Sequence, residues 1–443
     1  MIGATQWVVL TSGLGHVLRL GSNLILTRLL VPEMFGLMSI ANTVAVIMCL
    51  LSDIGLRQAV VRSTRGDEKG FLDTAWTIQI LQGLVLWAGS VVAALGLAAA
   101  AHWGLVSPHS TYGAPVLPWL IAVTGFWSVI GGFSSTLALT SIRNFQLRPV
   151  FLLEFTGQIF GLTIMVLLAW YTRSIWALVF GTMASTTLSA VLSHLWMRGD
   201  RNRFRWDKSA VHEVFTYGKW LALSSAVTVF ASNGDRLMLA AFANATVLGL
   251  YSIALSLVGA LDAILVQFFD RVMLPAFSEV ARTNPSGVPG AYFRLRWRID
   301  PIILVTSGLL FGGAHTLIGI MYDPRYTEAG HMLQILSLGM IVARYTLVQQ
   351  VYLAIGKTRY FVPLNAARLV ATYTLIPLGY YLGGFTGALI AVSFRNVPMV
   401  LLTFYFNTKH RLNNVRLELG ILLYWPLGFA VAKGAEWLVA AWR

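Results

Sequence analysis

Long apolar runs, interrupted by short polar segments rich in arginine, set the pattern of this chain. A helix needs about 20 mainly apolar residues to cross a bilayer. Thirteen stretches meet that need: 5–30, 35–56, 72–100, 116–142, 151–170, 175–197, 217–243, 247–270, 299–321, 331–354, 361–382, 385–407 and 418–441. Helix is the expected form for all of them. Hydrocarbon offers no partner to open backbone groups, and the runs are too long and continuous for barrel strands. The pattern also doubles. Gly36-Leu37-Met38-Ser39-Ile40-Ala41 returns as Gly249-Leu250-Tyr251-Ser252-Ile253-Ala254, about 213 residues later. A repeat of nearly half the chain is the mark of a two-lobed transporter. The predicted fold is all-α and membrane-integral. A six-helix lobe covers 1–197, a cytoplasmic linker 198–216, a second six-helix lobe 217–407, and one extra hydrophobic helix 418–441.

Composition agrees. Of 443 residues, 57% are hydrophobic and 11% charged, where a soluble domain carries roughly 25% charged residues. The net charge of +14 falls in alternate loops. Even-numbered loops hold Arg57, Arg62, Arg65 and Lys69; Arg143 and Arg148; Arg198, Arg201, Arg203, Arg205 and Lys208; Arg271, Arg282, Arg294, Arg296 and Arg298; Lys357 and Arg359; and Lys409, Arg411 and Arg416. Odd-numbered loops hold only Arg173 and Arg325, with Arg28 at the end of a run. The positive-inside rule then puts the N-terminus and every even loop in the cytoplasm. The charge is explained by topology, and a nucleic-acid surface is the poorer reading. Cys49 is the single cysteine, which excludes a disulfide framework and a thiolate metal cluster. No Lys or Arg precedes the first apolar residues, and the first run carries Arg19. That stretch reads as a retained helix rather than a signal peptide. The longest odd loop, 101–115, is too short to fold as a catalytic domain. In the linker, Asp207 is placed as an N-cap, and Val211, Val214 and Phe215 are spaced to face a bilayer surface. A short helix on the cytoplasmic face follows, though a solvated linker fits as well. In the last run Lys433 and Glu436, one turn apart, are expected to pair.

Polar residues inside the apolar runs carry the candidate chemistry. Ser12, His16, Arg19, Asn23 and Thr27 recur at steps of four, three, four and four, so they share one face of the first helix. An Arg at the bilayer centre costs about 2.5–3.5 kcal/mol on insertion scales. That stripe must meet a wet cavity or a partner charge, and a buried ion pair is the structural alternative. His16 alone reads as a satisfied hydrogen bonder. The seventh run holds Ser224, Thr228, Ser232 and Asp235 at steps of four, four and three, with Asn233 and Arg236 beside them. Adjacent Asp235 and Arg236 point apart on a helix. Arg344 lies mid-way along the tenth run, Asn365, Arg368 and Thr372 share a face of the eleventh, and Arg395 and Asn396 sit at the centre of the twelfth. The embedded acids are Glu154, Asp235 and Asp262, with Asp270 at a run's end. Bases match or exceed acids at depth, so a cavity between the halves would be cationic. A planar guanidinium grips phosphate in bidentate fashion. As a set these arginines point to an anionic, phosphate-bearing cargo; any single one is nearly as readily structural. Embedded carboxylates often mark ion relays, which makes Asp235, Asp262 and Glu154 candidate sites for a coupling H+ or Na+, with structural pairing as the alternative.

Two stretches carry a family resemblance. LTRLLVPEMFGLMSIANTVAVIMCLLSDIGLRQAVVR, across the first two runs, resembles the opening of the Wzx-type polysaccharide transporters, above all the colanic-acid WzxC-like branch. There a helix ends in an Arg-Leu-Leu-x-Pro-Glu-x-Phe-Gly turn and a Ser-Asp-x-Gly-Leu segment follows. ASNGDRLMLAAF with LGLYSIA is similar to that branch's Asn/Asp-bearing seventh helix and its Leu-Gly-Leu-Tyr-Ser turn. VMLPAFSEVARTNPSGVPGAYFRL is similar to its basic loop after helix eight. The likeness covers roughly residues 1–410.

The resemblance implies the multidrug/oligosaccharidyl-lipid/polysaccharide exporter fold, with two six-helix lobes in a V around a central cavity. It implies a bacterial inner-membrane protein that flips an undecaprenyl-diphosphate-linked oligosaccharide from the cytoplasmic to the periplasmic leaflet, with no enzymatic reaction and no cofactor. Arg19 is then expected to hold the pyrophosphate, with Arg236, Arg344, Arg368 and Arg395 as candidates in the second lobe. His16, Asn23, Ser232, Asn233 and Asn365 are expected to line the cavity. The expected partners are the lipid-linked glycan, the bilayer and a polysaccharide polymerase or export machinery, with no nucleic acid and no metal. The thirteenth run departs from the family's usual twelve or fourteen spans, so it is either re-entrant or puts the C-terminus on the far side. Three other classes compete. A drug or metabolite exporter of the same fold would want a more acidic cavity. A membrane glycan polymerase or glycosyltransferase would need a catalytic acid or base on a sizeable outer loop. A scaffold would not explain membrane-embedded arginines on so many helices.

Overall fold

A computed structural model describes residues 15, 18–19, 21–51, 55–63, 65–144, 146–197, 199–268 and 273–441, with the backbone alone at 62, 216–227, 261–268, 415 and 439–441. Among the described residues every regular element is helical. Eight helices among the described residues are long and apolar enough to cross a membrane, or nine if Leu117–Gly132 and Leu137–Arg143, bent by 68°, form one broken span. The first run is partly described, as a helix over 21–29. The seventh lies within Lys208–Phe242 and the eighth within Ala245–Phe268. The eleventh and twelfth together form Thr358–Lys409, 52 residues. At about 1.5 Å per residue that length far exceeds one crossing of about 30 Å. The chain turns back at Gly383 and Gly384, and Gly384, at φ +58° and ψ −149°, holds a conformation open only to glycine.

The chain divides into two compact units: Met1–Phe230 with Ala243–Gly249, and Ala231–Phe242 with Leu250–Arg443. The division therefore falls inside the Lys208–Phe242 helix rather than at residue 216. The short surface helix expected over 208–216 is the beginning of this 35-residue helix, because no proline interrupts the stretch. Asp207 caps it, its Oδ1 accepting from the Ser209 backbone N–H at 2.9 Å.

In the first unit the Lys69–His102 helix packs against the broken span. The break at 133–136 leaves carbonyl groups without helical partners, and nothing in hydrocarbon would satisfy them. Side chains do so instead. Gln79 donates to the carbonyls of Gly132 and Ser134, both at 3.0 Å. Trp76 and His194 both reach the Phe133 carbonyl, at 3.3 and 2.8 Å. The linker is fixed to the same helix by its backbone. The N–H groups of Arg203, Arg205 and Asp207 donate to Asp73 Oδ1, Thr77 Oγ1 and Thr74 Oγ1 at 3.0, 3.1 and 3.2 Å. Arg65 bridges Glu68 at 2.9 Å and Asp207 at 3.2 Å. The Ser209 hydroxyl and N–H, together with Arg65, hold the Asp207 carboxyl below the usual carboxylate range. The residues that open the two repeats meet inside this unit, Pro32 and Gly36 against Ala245 and Gly249. A Cβ on Gly36 would strike the Ala245 carbonyl, and one on Gly249 would strike the Pro32 carbonyl.

In the second unit the Val288–Met321 helix packs along Tyr424–Ala441 and Ala329–Ser337. Gly308 and Gly428 bring the first two helices to backbone contact: a Cβ on either would collide with the carbonyl of Trp425 or Val305. Such small-residue seams are how membrane helices pack closely. Trp425 Nε1 donates to Ser307 at 3.1 Å, and Thr316 donates to Glu436 at 2.5 Å. Lys433 pairs with Glu436 at 2.7 Å, as their spacing predicts. The last helix is thus part of this unit's core.

Gly36→Val and Gly249→Val are expected to destabilise the protein by about 1–3 kcal/mol or more, since a backbone must move to admit the side chain. A lower Tm of the detergent-solubilised protein checks this. Gly96→Ala, at a position with nothing within 4 Å, should leave Tm unchanged.

Candidate functional site

The second unit holds two polar nodes. The first is built on the Lys208–Phe242 helix. Gly234 lets the Phe361–Phe394 helix approach so closely that a Cβ would come 3.0 Å from Thr372 and from the Tyr373 ring. Next to it, Asp235 is 2% exposed. Its Oδ1 faces Arg395 at 3.1 Å, and its Oδ2 accepts a short hydrogen bond from the Tyr251 hydroxyl. Tyr251 is the repeat position where the first hexamer has Met38. Arg236 points elsewhere, as adjacent helical residues must. It is half-buried and donates to the neutral amide oxygen of Asn233 at 3.3 Å. Among the described residues it has no carboxylate within salt-bridge distance, and its buried Nε has no hydrogen-bond partner. Asp235 therefore pairs with Arg395, and Arg236 is the cation in excess. Arg368 and Asn365 lie one and two turns before Thr372 on the same helix face, both half-buried.

The second node is neutral. Arg296 and Asp300 stand four residues apart on the Val288–Met321 helix, with Arg296 Nε and Nη2 on Asp300 Oδ2 at 2.9 and 2.6 Å. Arg296 also grips Glu418 through both terminal nitrogens. Arg344, 2% exposed, sits where the tenth run breaks into a 3-10 turn, Arg344–Leu347. Its Nη1 reaches Asp300 at 3.3 Å, its Nη2 reaches Glu418 at 3.0 Å, and its Nε reaches the Ile341 carbonyl at 3.1 Å. Tyr345 adds a hydroxyl to Glu418 at 2.7 Å and lays its ring against both guanidinium groups. Two bases and two acids close on one another, so every nitrogen of Arg344 is already engaged within the protein.

The remaining candidates are scattered. In the first unit Arg19 is exposed, Asn23 half-buried and Thr27 fully buried, so the stripe turns from surface to interior along the helix. Glu154 is exposed, with Arg57 as its charged neighbour. Ser232 is exposed. His16 and the Asp262 side chain lie outside the described residues. No three His, Cys, Asp or Glu side chains among the described residues are placed to hold a metal ion. Asp300, Glu418, Tyr251 and Tyr345 were not singled out by sequence reasoning. The Arg296–Asp300 spacing of four was the available signal.

A family described as polysaccharide biosynthesis protein matches residues 25–329. The chain belongs to that family. The match takes in Asp235, Arg236, Arg296 and Asp300 and ends before Arg344, Arg368, Arg395 and Glu418. Among solved structures, the chain of this polysaccharide biosynthesis family member is similar to the lipid II flippase MurJ in an inward closed conformation. The TM-score is 0.64 at 11% identity, over 97% of this chain and 92% of that one. It is also similar to an inward-facing multidrug resistance MATE family transporter of the MOP superfamily. There the TM-score is 0.63 at 13% identity, over 90% of this chain and 94% of the other. These likenesses show that the chain shares the fold of those two proteins, and its long apolar helices are those of a multi-pass membrane protein. No curated protein sequence matches.

Glu418→Ala leaves two buried guanidinium groups facing one carboxylate. Breaking a buried ion pair by removing one partner costs about 3–5 kcal/mol. The variant is expected to lose that much stability, read as a fall in Tm of the purified protein. An unchanged Tm would show that the charges are met in another way.

Proposed function

We propose that this chain flips an undecaprenyl-diphosphate-linked oligosaccharide across a bacterial inner membrane, from the cytoplasmic to the periplasmic leaflet, by alternating access. The product would feed a cell-surface or secreted polysaccharide through a polymerase or export machinery. Membership of a polysaccharide biosynthesis family and the flippase-like fold support the class. The observation that carries the substrate reading is Arg236, a half-buried guanidinium in a membrane helix, matched by no described carboxylate and with an open Nε. A diphosphate headgroup supplies the anion it lacks, and each charge-assisted hydrogen bond contributes roughly 1.5–3 kcal/mol. Arg19, exposed on the first helix, is the first unit's candidate for the same headgroup, and half-buried Arg368 is a further one in the second. Arg344 falls out of this set because its donors serve Asp300 and Glu418.

Asp235 bears on coupling. A proton or sodium ion taken up there competes with Arg395 and the Tyr251 hydroxyl for the carboxylate. Ion binding at Asp235 would thus weaken the Arg395 contact. Glu154 and Asp262 remain as other coupling candidates. A cation exporter of the same fold would want acidic lining, whereas the second unit's buried acids are covered by arginines. The transport reading requires no catalytic group.

Arg19→Ala and Arg236→Ala are each expected to slow flipping of a labelled lipid-linked glycan about tenfold or more at equal protein level, one lost charged contact being worth at least ~1.4 kcal/mol. Arg236→Lys should recover part of the rate. Undiminished flipping in both alanine variants would remove diphosphate recognition by these groups. Glycan chain growth catalysed by the purified protein would replace transport with an enzyme.

A further inference from the structure

The linker presents a surface that its own fold does not use. Residues 199–207 are held to the first unit by backbone N–H groups and by the Asn202 side chain, which donates to Thr136 at 2.7 Å. The backbone does most of the docking, and Arg201, Arg203, Phe204, Arg205, Trp206 and Lys208 are all exposed. Their basic neighbours are neutralised: Arg65 by Glu68 and Asp207, and Lys69 by Asp200 at 3.1 Å. Among the described residues Arg201, Arg203, Arg205 and Lys208 make no salt bridge. Within eight residues, four unmatched cations alternate with two large aromatic rings that are 69% and 54% exposed.

The depth of this strip follows from the helix it lies on. Phe204 packs on Trp76 with ring centroids 4.9 Å apart. Leu81 is the first strongly exposed large apolar residue of the Lys69–His102 helix, about 8 Å further along at 1.5 Å per residue. The headgroup layer on each side of the hydrocarbon is roughly 5–8 Å thick. Phe204 and Trp206 therefore lie level with headgroups, where aromatic rings partition and basic side chains meet lipid phosphates.

We propose that residues 201–208 form a docking site for anionic phospholipid headgroups, with the arginines and Lys208 contacting phosphate and Phe204 and Trp206 wedged at the acyl boundary. The site pins the linker, through the first unit, to the leaflet surface. It is independent of the transported substrate.

The test is native mass spectrometry of the full-length protein released from detergent, titrated with phosphatidylglycerol or phosphatidylethanolamine. The wild type should retain phosphatidylglycerol in preference to phosphatidylethanolamine. The triple variant Arg201→Gln, Arg203→Gln, Arg205→Gln should bind phosphatidylglycerol about tenfold or more weakly, each basic residue near a charged leaflet contributing measurably. The corresponding triple Lys variant should keep the binding, which separates charge from any structural role of the arginines. Phe204→Ser with Trp206→Ser should weaken retention of the same lipid. Equal retention of the two lipids by the wild type, or undiminished phosphatidylglycerol binding in the Gln variant, overturns the proposal. So does loss of a co-purifying acidic protein, rather than of lipid, in that variant.

Discussion

A guanidinium carried into a membrane helix must be met, and how each one is met organises the second unit. Arg296, Asp300, Arg344 and Glu418 come from three stretches far apart in sequence and close into a neutral group. The desolvation of each charge is offset only while the other three are in place. That requirement ties the broken tenth run, the Val288–Met321 helix and the Val415–Leu422 helix that opens the last run into one body. It also explains why a thirteenth apolar run, outside a six-plus-six plan, is no appendage: without Glu418 the core would hold an excess positive charge.

The same principle, applied a few turns away, separates arginines by role. Arg344 and Arg395 both have carboxylate partners, yet the two differ. Arg344 is enclosed by acids and a tyrosine on all sides, a geometry suited to permanence. Arg395 meets Asp235, a carboxylate that also accepts from the Tyr251 phenol. Arg236, adjacent to that carboxylate in sequence, makes no salt bridge with it and donates to the Asn233 amide. Position along the helix, one residue round, decides which neighbour a charge meets.

Much of this was legible in the sequence, and the remainder was hidden for definite reasons. Apolar length located the helices, and the 213-residue repeat announced the doubling, because both are properties of a single strand of text read along itself. Asp207 as a cap and Lys433 with Glu436 as a pair were likewise local. Arg344 could be seen as an anomaly, but its partners lie on other helices, and helical periodicity says nothing about which neighbour a face meets. Asp300 escaped notice because its surroundings are apolar and its partner Arg296 was counted with a loop. Glu418 sat at the edge of a run and read as a boundary. The linker's helix was expected to stop near residue 216, since a change from polar to apolar composition looks like an end even where no residue breaks the helix.

The glycines of the repeated hexamers carry a consequence for ancestry. Residues 32 and 36 correspond to 245 and 249 under the repeat, and Gly36 lies on Ala245 while Gly249 lies on Pro32. Each position thus touches the counterpart of the other, the reciprocity that defines an isologous, two-fold interface. A half-length protein bearing one hexamer would offer the same patch to a second copy of itself. Tandem duplication and fusion of such a homodimer would convert an association between chains into one within a chain, with no new surface to invent.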